Sequence, residues 1–198
     1  PAGNWPKSPQ RSGILENQQG IKMKIDPKLK LEKIAGVKDV RVHIRDPHLD
    51  VENKCLVATD GHKLVRIPVE VSAADTSGPV PLDAIKDARK RKLESAEIVC
   101  NGDATLVDPT SGKQLAHYDR VDYGNFPDYE RVLPDESEKP LISVHLNARY
   151  LLELAQALSV RRGEEPVVRL DIFDDSRPVR VVSQKEPDRV GVVMPCRK

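Results

Sequence analysis

The strongest constraint on the fold of this chain is an order of predicted elements that recurs three times after Gly20. Each repeat has a short apolar strand, an amphipathic helix and about three further strands. In the third repeat, Asn147 is a predicted N-cap, and Leu151, Leu154 and Leu158 lie on one helical stripe. The pattern predicts an α+β protein built from three β-α-β-β-β units.

The repeats predict individual elements that a structure can test. The first repeat is predicted to hold a strand at residues 21–25, a short helix around Leu31 and an alternating strand at residues 40–45. The third repeat is predicted to begin with a strand at residues 141–146. The second helix is predicted near residues 82–93, and the remaining strands near residues 54–59, 63–71, 97–100, 104–107, 114–121, 168–172, 178–182 and 189–195.

Composition excludes several classes of protein. The 32 Lys and Arg residues nearly balance the 31 Asp and Glu residues, so any affinity for nucleic acid must come from local clusters of charge. The three cysteines are widely spaced and include no Cys-x-x-Cys pair that would indicate zinc or redox chemistry. No apolar run approaches the roughly 20 residues of a membrane span. We therefore expect a cytoplasmic protein without a metal or a cofactor.

Four segments carry a more specific signal than periodicity. They are Ala58-Thr-Asp-Gly-His-Lys-Leu64, Phe126-Pro-Asp-Tyr-Glu-Arg-Val-Leu-Pro134, Asn147-Ala-Arg-Tyr-Leu-Leu152 and Val192-Val-Met-Pro-Cys-Arg197. In this order they resemble segments of the bacterial sliding-clamp family, the beta subunits of DNA polymerase III. The resemblance implies the DNA-clamp fold in a shortened form, which lacks the first domain and half of the last.

The resemblance also implies a division of the chain into one complete clamp domain and a half domain. The predicted parts are a flexible N-terminal arm at residues 1–19, a domain similar to the family's middle domain at 20–123, a connector at 124–140, and a half domain at 141–198 that resembles the C-terminal part of the last clamp domain.

In sliding clamps, the matching segments form a pocket for short linear motifs of polymerases, clamp loaders and repair proteins. The residues at the matching positions here are Arg41, Ile44, Thr59, Gly61, His62, Lys63, Leu64, Pro127, Arg131, Val132, Val192, Met194, Pro195 and Arg197. Leu64, Val132 and Met194 would offer apolar surface to a Leu or Phe anchor, and methionine adapts to different partners. Arg131 and His62 would supply hydrogen-bond donors at the rim.

A second implied surface consists of cations on and near the helices. Its members are Lys28, Lys30, Lys33, Lys86, Arg89, Lys90, Arg91, Lys92, Arg161 and Arg162. In the family, such helices face duplex DNA, so the resemblance implies phosphate contacts without reading of bases. The other interpretation of these charges is an ordinary solvated helix face.

Other functions remain in competition with a processivity factor. Taken alone, residues 59–62 indicate only a hairpin turn. His62 with Asp60, or His117 with Asp119, could be an acid and a base, but no nucleophile pattern, phosphate loop or metal spacing accompanies them, so we predict a non-catalytic protein. An alternative is a clamp-derived adaptor or decoy that binds clamp partners without encircling DNA. Self-association is left open by the sequence.

Overall fold

The computed structural model describes residues 23–121, 123–134, 137–158 and 167–196. The chain divides into two compact units, of which unit 1 ends at Tyr129 and unit 2 begins at Glu130. The predicted arm at residues 1–19 lies outside the described residues. Within the described parts of the chain, no helix is long and apolar enough to cross a membrane.

In its described residues, unit 1 consists of two antiparallel sheets and one α-helix. Its strands are β1 (Met23–Ile25), β2 (His48–Asp50), β3 (Cys55–Thr59), β4 (Leu64–Pro68), β5 (Gly78–Pro79), β6 (Ala96–Asn101), β7 (Asp103–Val107) and β8 (Gln114–Tyr118), and its helix is α1 (Leu82–Lys90). One sheet has the order β1-β6-β7-β8, and the other has the order β4-β3-β2-β5. Most predicted strands of this unit are therefore confirmed, as is the α+β fold class.

The two repeats of unit 1 exchange their first strands. β1, from the first repeat, pairs with β6 of the second, where Met23 lies opposite Ile98. β5, from the second repeat, pairs with β2 of the first, where Gly78 lies opposite Leu49. Each sheet of unit 1 therefore needs a strand from the other repeat, and the two repeats share one buried core.

Helix α1 covers this core because its apolar residues lie on one face. Leu82, Ala84, Ile85 and Ala88 are all buried. The carboxylate of Asp46 accepts a hydrogen bond from the first helical N–H, that of Leu82, at 2.9 Å. Burial raises the pKa of this carboxyl group.

Two predictions for the first repeat are wrong. The helix predicted around Leu31 is only a 3₁₀ turn, Leu31–Lys33, because the N–H of Gly36 leaves the helical pattern and donates to the carbonyls of Ile44 and Thr59. The strand predicted at residues 40–45 is a second 3₁₀ turn, Val42–Ile44. Here Asp39 binds the backbone and guanidinium of Arg41, so the segment folds back instead of extending.

Unit 2 contains one helix and one sheet of three strands in the described residues. They are α2 (Ala148–Leu158), β9 (Val168–Asp171), β10 (Val179–Ser183) and β11 (Val190–Val193), with the sheet order β11-β10-β9. The predicted N-cap is confirmed, because Asn147 Oδ1 accepts a hydrogen bond from the N–H of Arg149 at 3.0 Å. The predicted helical stripe of Leu151, Leu154 and Leu158 packs on this sheet.

The strand predicted at residues 141–146 is not formed. A strand requires a ladder of hydrogen bonds to a neighbour. Among the described residues, the one backbone hydrogen bond of this segment outside helices and strands joins the carbonyl of His145 to the N–H of Cys196, at 2.7 Å. The segment has the apolar composition of a strand but no partner strand.

Candidate functional site

The loop between β3 and β4 is a tight turn closed by its own polar side chains. Thr59 Oγ1 donates to the carbonyl of Lys63 at 2.8 Å and accepts from the N–H of Gly61 at 3.0 Å. The carboxylate of Asp60 accepts from the N–H groups of His62 and Lys63 at 2.9 and 3.0 Å. A side-chain contact with Lys63, together with these backbone donors, holds the pKa of Asp60 well below its usual range. The turn therefore presents His62 and Lys63 to solvent in a fixed geometry.

Arg41 lies directly against this turn. Its guanidinium binds both carboxylate oxygens of Asp39, at 3.0 and 2.8 Å, and donates to the carbonyl of Asp60 at 3.0 Å. Gly61 has φ of +88°, and a Cβ at this position would lie 2.8 Å from Nη2 of Arg41. Only glycine therefore fits both the backbone conformation and the close approach of the guanidinium. The structure thus brings Arg41 and Gly61 into close contact, next to the exposed His62.

Two predicted pocket residues of unit 1 lie below the surface. Ile44 is 1% exposed, and a Cβ on Gly36 would lie 3.0 Å from its Cδ1, so its side chain packs against Gly36, whose N–H donates to the carbonyl of Thr59. Thr59 is 6% exposed, and its hydroxyl is already used within the turn. We therefore assign both residues to support of the turn. Leu64 is half-buried at the start of β4, and Pro127 is exposed.

The segment that carries Pro127 is anchored to unit 1 on both sides of that residue. Phe126 stacks on His48, with ring centroids 4.7 Å apart. Tyr129 is 6% exposed, and its hydroxyl donates to the carboxylate of Asp50 at 2.8 Å and accepts from the amide of Asn53 at 3.2 Å. Burial raises the pKa of the Tyr129 phenol, and its contacts with Cys55 and Asp50 raise it further. Sequence matching included this segment but did not identify Tyr129 as its anchor.

Unit 2 contains an open cleft of about 910 Å³. Its apolar lining is formed by Leu141, Ile142, Phe173, Met194 and Pro195. Ile142, Phe173 and Met194 are 43%, 50% and 62% exposed, and Leu141 is fully exposed. The polar lining is formed by Ser143, His145, Asp174, Asp175, Ser176 and Cys196.

The resemblance located only part of this cleft. Met194 and Pro195 were predicted, and they lie in its lining. Leu141, Ile142 and Phe173 were missed, because the first two belong to a predicted strand and the third follows a strand with no motif of its own. The guanidinium groups of Arg177 and Arg180 lie over the Phe173 ring, at 5.3 and 5.5 Å from its centroid, which fixes a cationic edge beside the cleft.

The other predicted pocket residues of unit 2 are exposed but do not line this cleft. Val132 is 69% exposed in a 3₁₀ turn, Glu130–Val132, which also contains the exposed Arg131. Val192 is 59% exposed on β11. Arg197 lies outside the described residues.

Most of the predicted DNA-binding residues lie together on unit 1. The guanidinium of Arg89 on α1 donates to the carbonyls of Pro27 and Leu29, each at 2.7 Å, and pairs with Glu32 at 2.7 Å. These bonds tie α1 to the segment that carries Lys28, Lys30 and Lys33. Arg161 and Arg162, however, lie outside the described residues.

Several of these cations are already paired within the protein. Arg89 is 30% exposed, and its guanidinium N–H groups are hydrogen-bonded to the 27–32 segment. Lys86 pairs with Asp83 at 3.1 Å, and Arg91 pairs with Asp87 at 2.9 Å. Among the described residues, the side chains of Lys28, Lys30, Lys33, Lys90 and Lys92 have no ion-pair partner. Arg89 therefore has a structural role, and phosphate contacts would fall to the lysines.

Neither proposed acid–base pair forms a built catalytic site. Asp60 is committed to the turn described above. Asp103, His117 and Asp119 place their ligand atoms within 4.8 Å of one another, so they could hold a metal ion, but all three are exposed. Exposed acidic groups of this kind are common without a metal, and the arrangement indicates no chemistry by itself.

Comparison with known proteins gives the fold a clear relative. No protein-family model and no curated protein sequence matches the chain. Solved structures of sliding clamps do match: that of Bartonella birtlesii bound to griselimycin has a TM-score of 0.62 and 17% identity, and covers 94% of this chain and 54% of the clamp. The clamp of Bacillus subtilis has a TM-score of 0.61, 16% identity and coverage of 94% and 52%.

A third match has the highest identity of the three. The DNA polymerase III beta chain of Streptococcus pneumoniae has a TM-score of 0.57 and 22% identity, and covers 97% of this chain and 54% of that protein. The chain thus spans about half the length of these three clamps. The chain therefore has the fold of the bacterial sliding clamp, the beta subunit of DNA polymerase III, as the four sequence segments predicted.

Proposed function

We propose that this chain is a non-catalytic, sliding-clamp-like protein of DNA replication or repair that binds partner proteins through short linear motifs. The observation that carries this proposal is the cleft of unit 2, which exposes Ile142, Phe173 and Met194 side by side within a clamp-type fold. Proteins seldom leave such side chains clustered at the surface unless something binds them. Its partners would be a DNA polymerase, a clamp loader or repair proteins.

The chemistry of the cleft suits a peptide with an apolar anchor. A Leu or Phe side chain would displace water from Leu141, Phe173 and Met194. Methionine can adjust its conformation to different anchors, which suits a surface shared by several partners. His145 and Ser143 offer polar atoms in the same lining for a glutamine side chain or a peptide carbonyl.

The turn of unit 1 is proposed as a second contact surface for partner proteins. Its exposed residues, His62 and Lys63, are held by the hydrogen bonds of Asp60 and Thr59. A rigid turn loses little entropy on binding. The residues retained in the proposal on this unit are Arg41, Gly61, His62, Lys63, Leu64 and Pro127, and those on unit 2 are Arg131, Val132, Val192, Met194 and Pro195.

A peptide titration tests this function. A fluorescent peptide that contains a glutamine, an acidic residue, a leucine and a phenylalanine is titrated into the wild type and into Met194→Ala and Arg131→Ala. Val190→Ala is the matched control, since Val190 is 51% exposed on the terminal strand and does not line the cleft. We expect Met194→Ala to weaken binding by about tenfold, or roughly 1.4 kcal/mol, and the control to match the wild type.

Two results would overturn the peptide-binding proposal. One is the absence of saturable binding by the wild type at peptide concentrations up to about 1 mM, which would correspond to less than roughly 4 kcal/mol of affinity. The other is equal binding by the wild type and Met194→Ala. A loss of affinity in Val190→Ala as large as that in Met194→Ala would also count against the cleft as the binding site.

We further propose that the unpaired lysines of unit 1 contact duplex DNA without base specificity, as in a processivity factor. Lys90 is the exposed last residue of α1, Lys92 is exposed just after α1, and Lys33 lies on the segment joined to α1 by Arg89. Fluorescence anisotropy with a duplex of random sequence should detect binding that falls steeply as salt rises. The double variant Lys90→Ala, Lys92→Ala should reduce the salt slope by about 2, and an unchanged slope would remove this part of the proposal.

The alternative is an adaptor that binds clamp partners without encircling DNA. The observation that favours it is the internal pairing of Lys86, Arg89 and Arg91, which leaves fewer cations for DNA. Retention on circular DNA distinguishes the two functions. A clamp would remain on closed circles and leave linear molecules by their ends, whereas an adaptor would not be retained on either.

A further inference from the structure

The sheet of unit 2 ends in a strand whose outer edge carries hydrogen-bonding groups. β9 lies at the edge of the order β11-β10-β9. The N–H of Gln184, just after β10, donates to the carbonyl of Val167 at 3.1 Å, so the backbone groups of Val167 point inward, toward β10. Because inward and outward backbone groups alternate along an antiparallel strand, Val168 and Leu170 direct their N–H and C=O groups to the outer edge. Such an edge readily pairs with another strand.

Residues 141–146 of the same unit correspond in position to β5 of unit 1. In unit 1, the carbonyl of Pro79 accepts from the side-chain Nε–H of Arg120, in the tail that follows β8, at 2.7 Å. In unit 2, the carbonyl of His145 accepts from Cys196, in the tail that follows β11, at 2.7 Å. Each carbonyl lies three residues before the first residue of a helix, Leu82 in α1 and Ala148 in α2.

The two segments also correspond at the edge that, in β5, faces the other repeat. The N–H of Val80, one residue after Pro79, donates at 2.7 Å to the carbonyl of Pro47 in the other repeat. The equivalent residue in unit 2 is Leu146, and by alternation Val144 faces the same way. Residues 141–146 therefore correspond to β5, and β9 corresponds to β6. In unit 1, β5 and β6 each pair with a strand of the other repeat, β2 and β1.

The apolar surface of unit 2 agrees with a missing partner. Among the described residues, its fully packed cluster contains only Val179, Val181 and Val193, whereas the cluster of unit 1 has eighteen buried members. Val167 is 58% exposed beside β9, and Leu170 is 39% exposed on β9 itself. These exposed apolar side chains beside an open strand edge are a surface that a partner strand would cover.

We propose that two copies of this chain pair through unit 2 by exchange of residues 142–146. The segment of each copy adds to the outer edge of β9 of the other, in the way that β1 adds to β6 within unit 1. A second copy is the partner with the right chemistry, because every copy carries one unpaired segment and one unpaired edge, and two such copies satisfy each other. The interface is therefore two-fold symmetric, and both junctions are the same.

Light scattering on the full chain, with matched proline variants, tests this pairing. The wild type should have twice the chain mass of 22.1 kDa at micromolar concentrations. Leu170→Pro removes an outward N–H from β9 at both junctions and should raise the dissociation constant of the dimer by about tenfold or more. Val190→Pro is the control, since by the same alternation Val190 faces the opposite edge of the sheet on β11, and it should remain dimeric.

A mixing experiment distinguishes exchange from other dimers. Val144→Pro removes an outward N–H from the segment, so its homodimer is weakened at both junctions, like that of Leu170→Pro. A mixture of the two variants can form one junction between an intact segment and an intact β9. We therefore expect the mixture to show a larger dimer fraction than either variant alone at the same total concentration. Circular dichroism of each variant verifies that it is folded.

Several outcomes would overturn the exchange. A wild type that remains monomeric up to about 100 μM would exclude a dimer stronger than roughly 5.5 kcal/mol. Dissociation of Val190→Pro to the same extent as Leu170→Pro would show that the β9 edge is not the contact. A mixture with no more dimer than its separate components would exclude reciprocal exchange of residues 142–146.

Discussion

Substitution of Arg89 distinguishes most clearly between a structural and a DNA-binding role for the cations of α1. Its guanidinium makes hydrogen bonds of 2.7 Å to the carbonyls of Pro27 and Leu29, and bonds of 2.7 and 3.2 Å to the carboxylate of Glu32. The pKa of the Glu32 carboxyl is lowered, chiefly by its hydrogen bond with Arg89. We predict that Arg89→Ala destabilises unit 1.

The size of this effect follows from the exposure of the pair. Hydrogen bonds to charged groups contribute about 1.5–3 kcal/mol each when they are well buried. Because Arg89 and Glu32 are 30% and 26% exposed, solvent screens part of this energy. We therefore expect Arg89→Ala to lower the free energy of unfolding by about 2–3 kcal/mol. Arg89→Lys should lose most of this amount as well, because an ammonium group cannot reach both carbonyls and the carboxylate.

Urea denaturation followed by circular dichroism measures this change, and DNA binding is measured on the same samples. Lys90→Ala is the control, since Lys90 is the exposed neighbour of Arg89 on α1. It should leave the unfolding midpoint unchanged while weakening any DNA binding. An unchanged midpoint in Arg89→Ala, or a loss of DNA affinity in Arg89→Lys larger than that in Lys90→Ala, would refute the structural role of Arg89.

Three further substitutions test individual features of unit 1. Tyr129→Phe removes the hydroxyl that binds Asp50 and should lower the free energy of unfolding by about 1–2 kcal/mol in urea denaturation, whereas an unchanged value would show that the segment is not anchored there. Gly61→Ala should cost about 1–3 kcal/mol, and more than Gly112→Ala, which shares the positive φ but has open space around it; equal costs would exclude the contact with Arg41. Because burial raises the folded-state pKa of Asp46 above its unfolded value, the contribution of Asp46 to stability should fall as pH rises from the usual carboxyl range through that raised pKa. Asp46→Asn, which keeps an acceptor for Leu82, should remove this dependence in unfolding curves measured from about pH 3 to 7, and a profile identical to that of the wild type would contradict it.

Local signals in the sequence predicted the elements that depend on neighbouring residues. The cap at Asn147 and the turn at Asp60 use side chains that bind backbone groups two or three residues away, so their chemistry can be read from a short window. The stripe on α2 is likewise a property of spacing. Four short segments that resemble sliding clamps added the fold, which no local pattern could identify.

The wrong predictions concern residues whose conformation depends on contacts that the sequence pattern does not show. Residues 40–45 alternate like a strand, but Asp39 binds Arg41 and the carbonyl of Asp39 accepts from Arg45, which folds the segment back. Residues 141–146 are composed like a strand but pair with no strand among the residues that the structure describes. The contact of Arg89 with Glu32 likewise joins residues 57 positions apart, so residue spacing gave no sign of it. Such contacts are visible only once the chain is folded.

Methionine-methyl NMR tests the proposed peptide-binding cleft most directly. The chain has two methionines, of which Met194 is 62% exposed in the cleft and Met23 is fully buried in the core of unit 1. In a sample labelled with ¹³C at the methionine methyl groups, addition of the linear-motif peptide should shift the Met194 resonance in a saturable way and leave the Met23 resonance in place. A Met194 resonance that does not move at saturating peptide would contradict binding in the cleft.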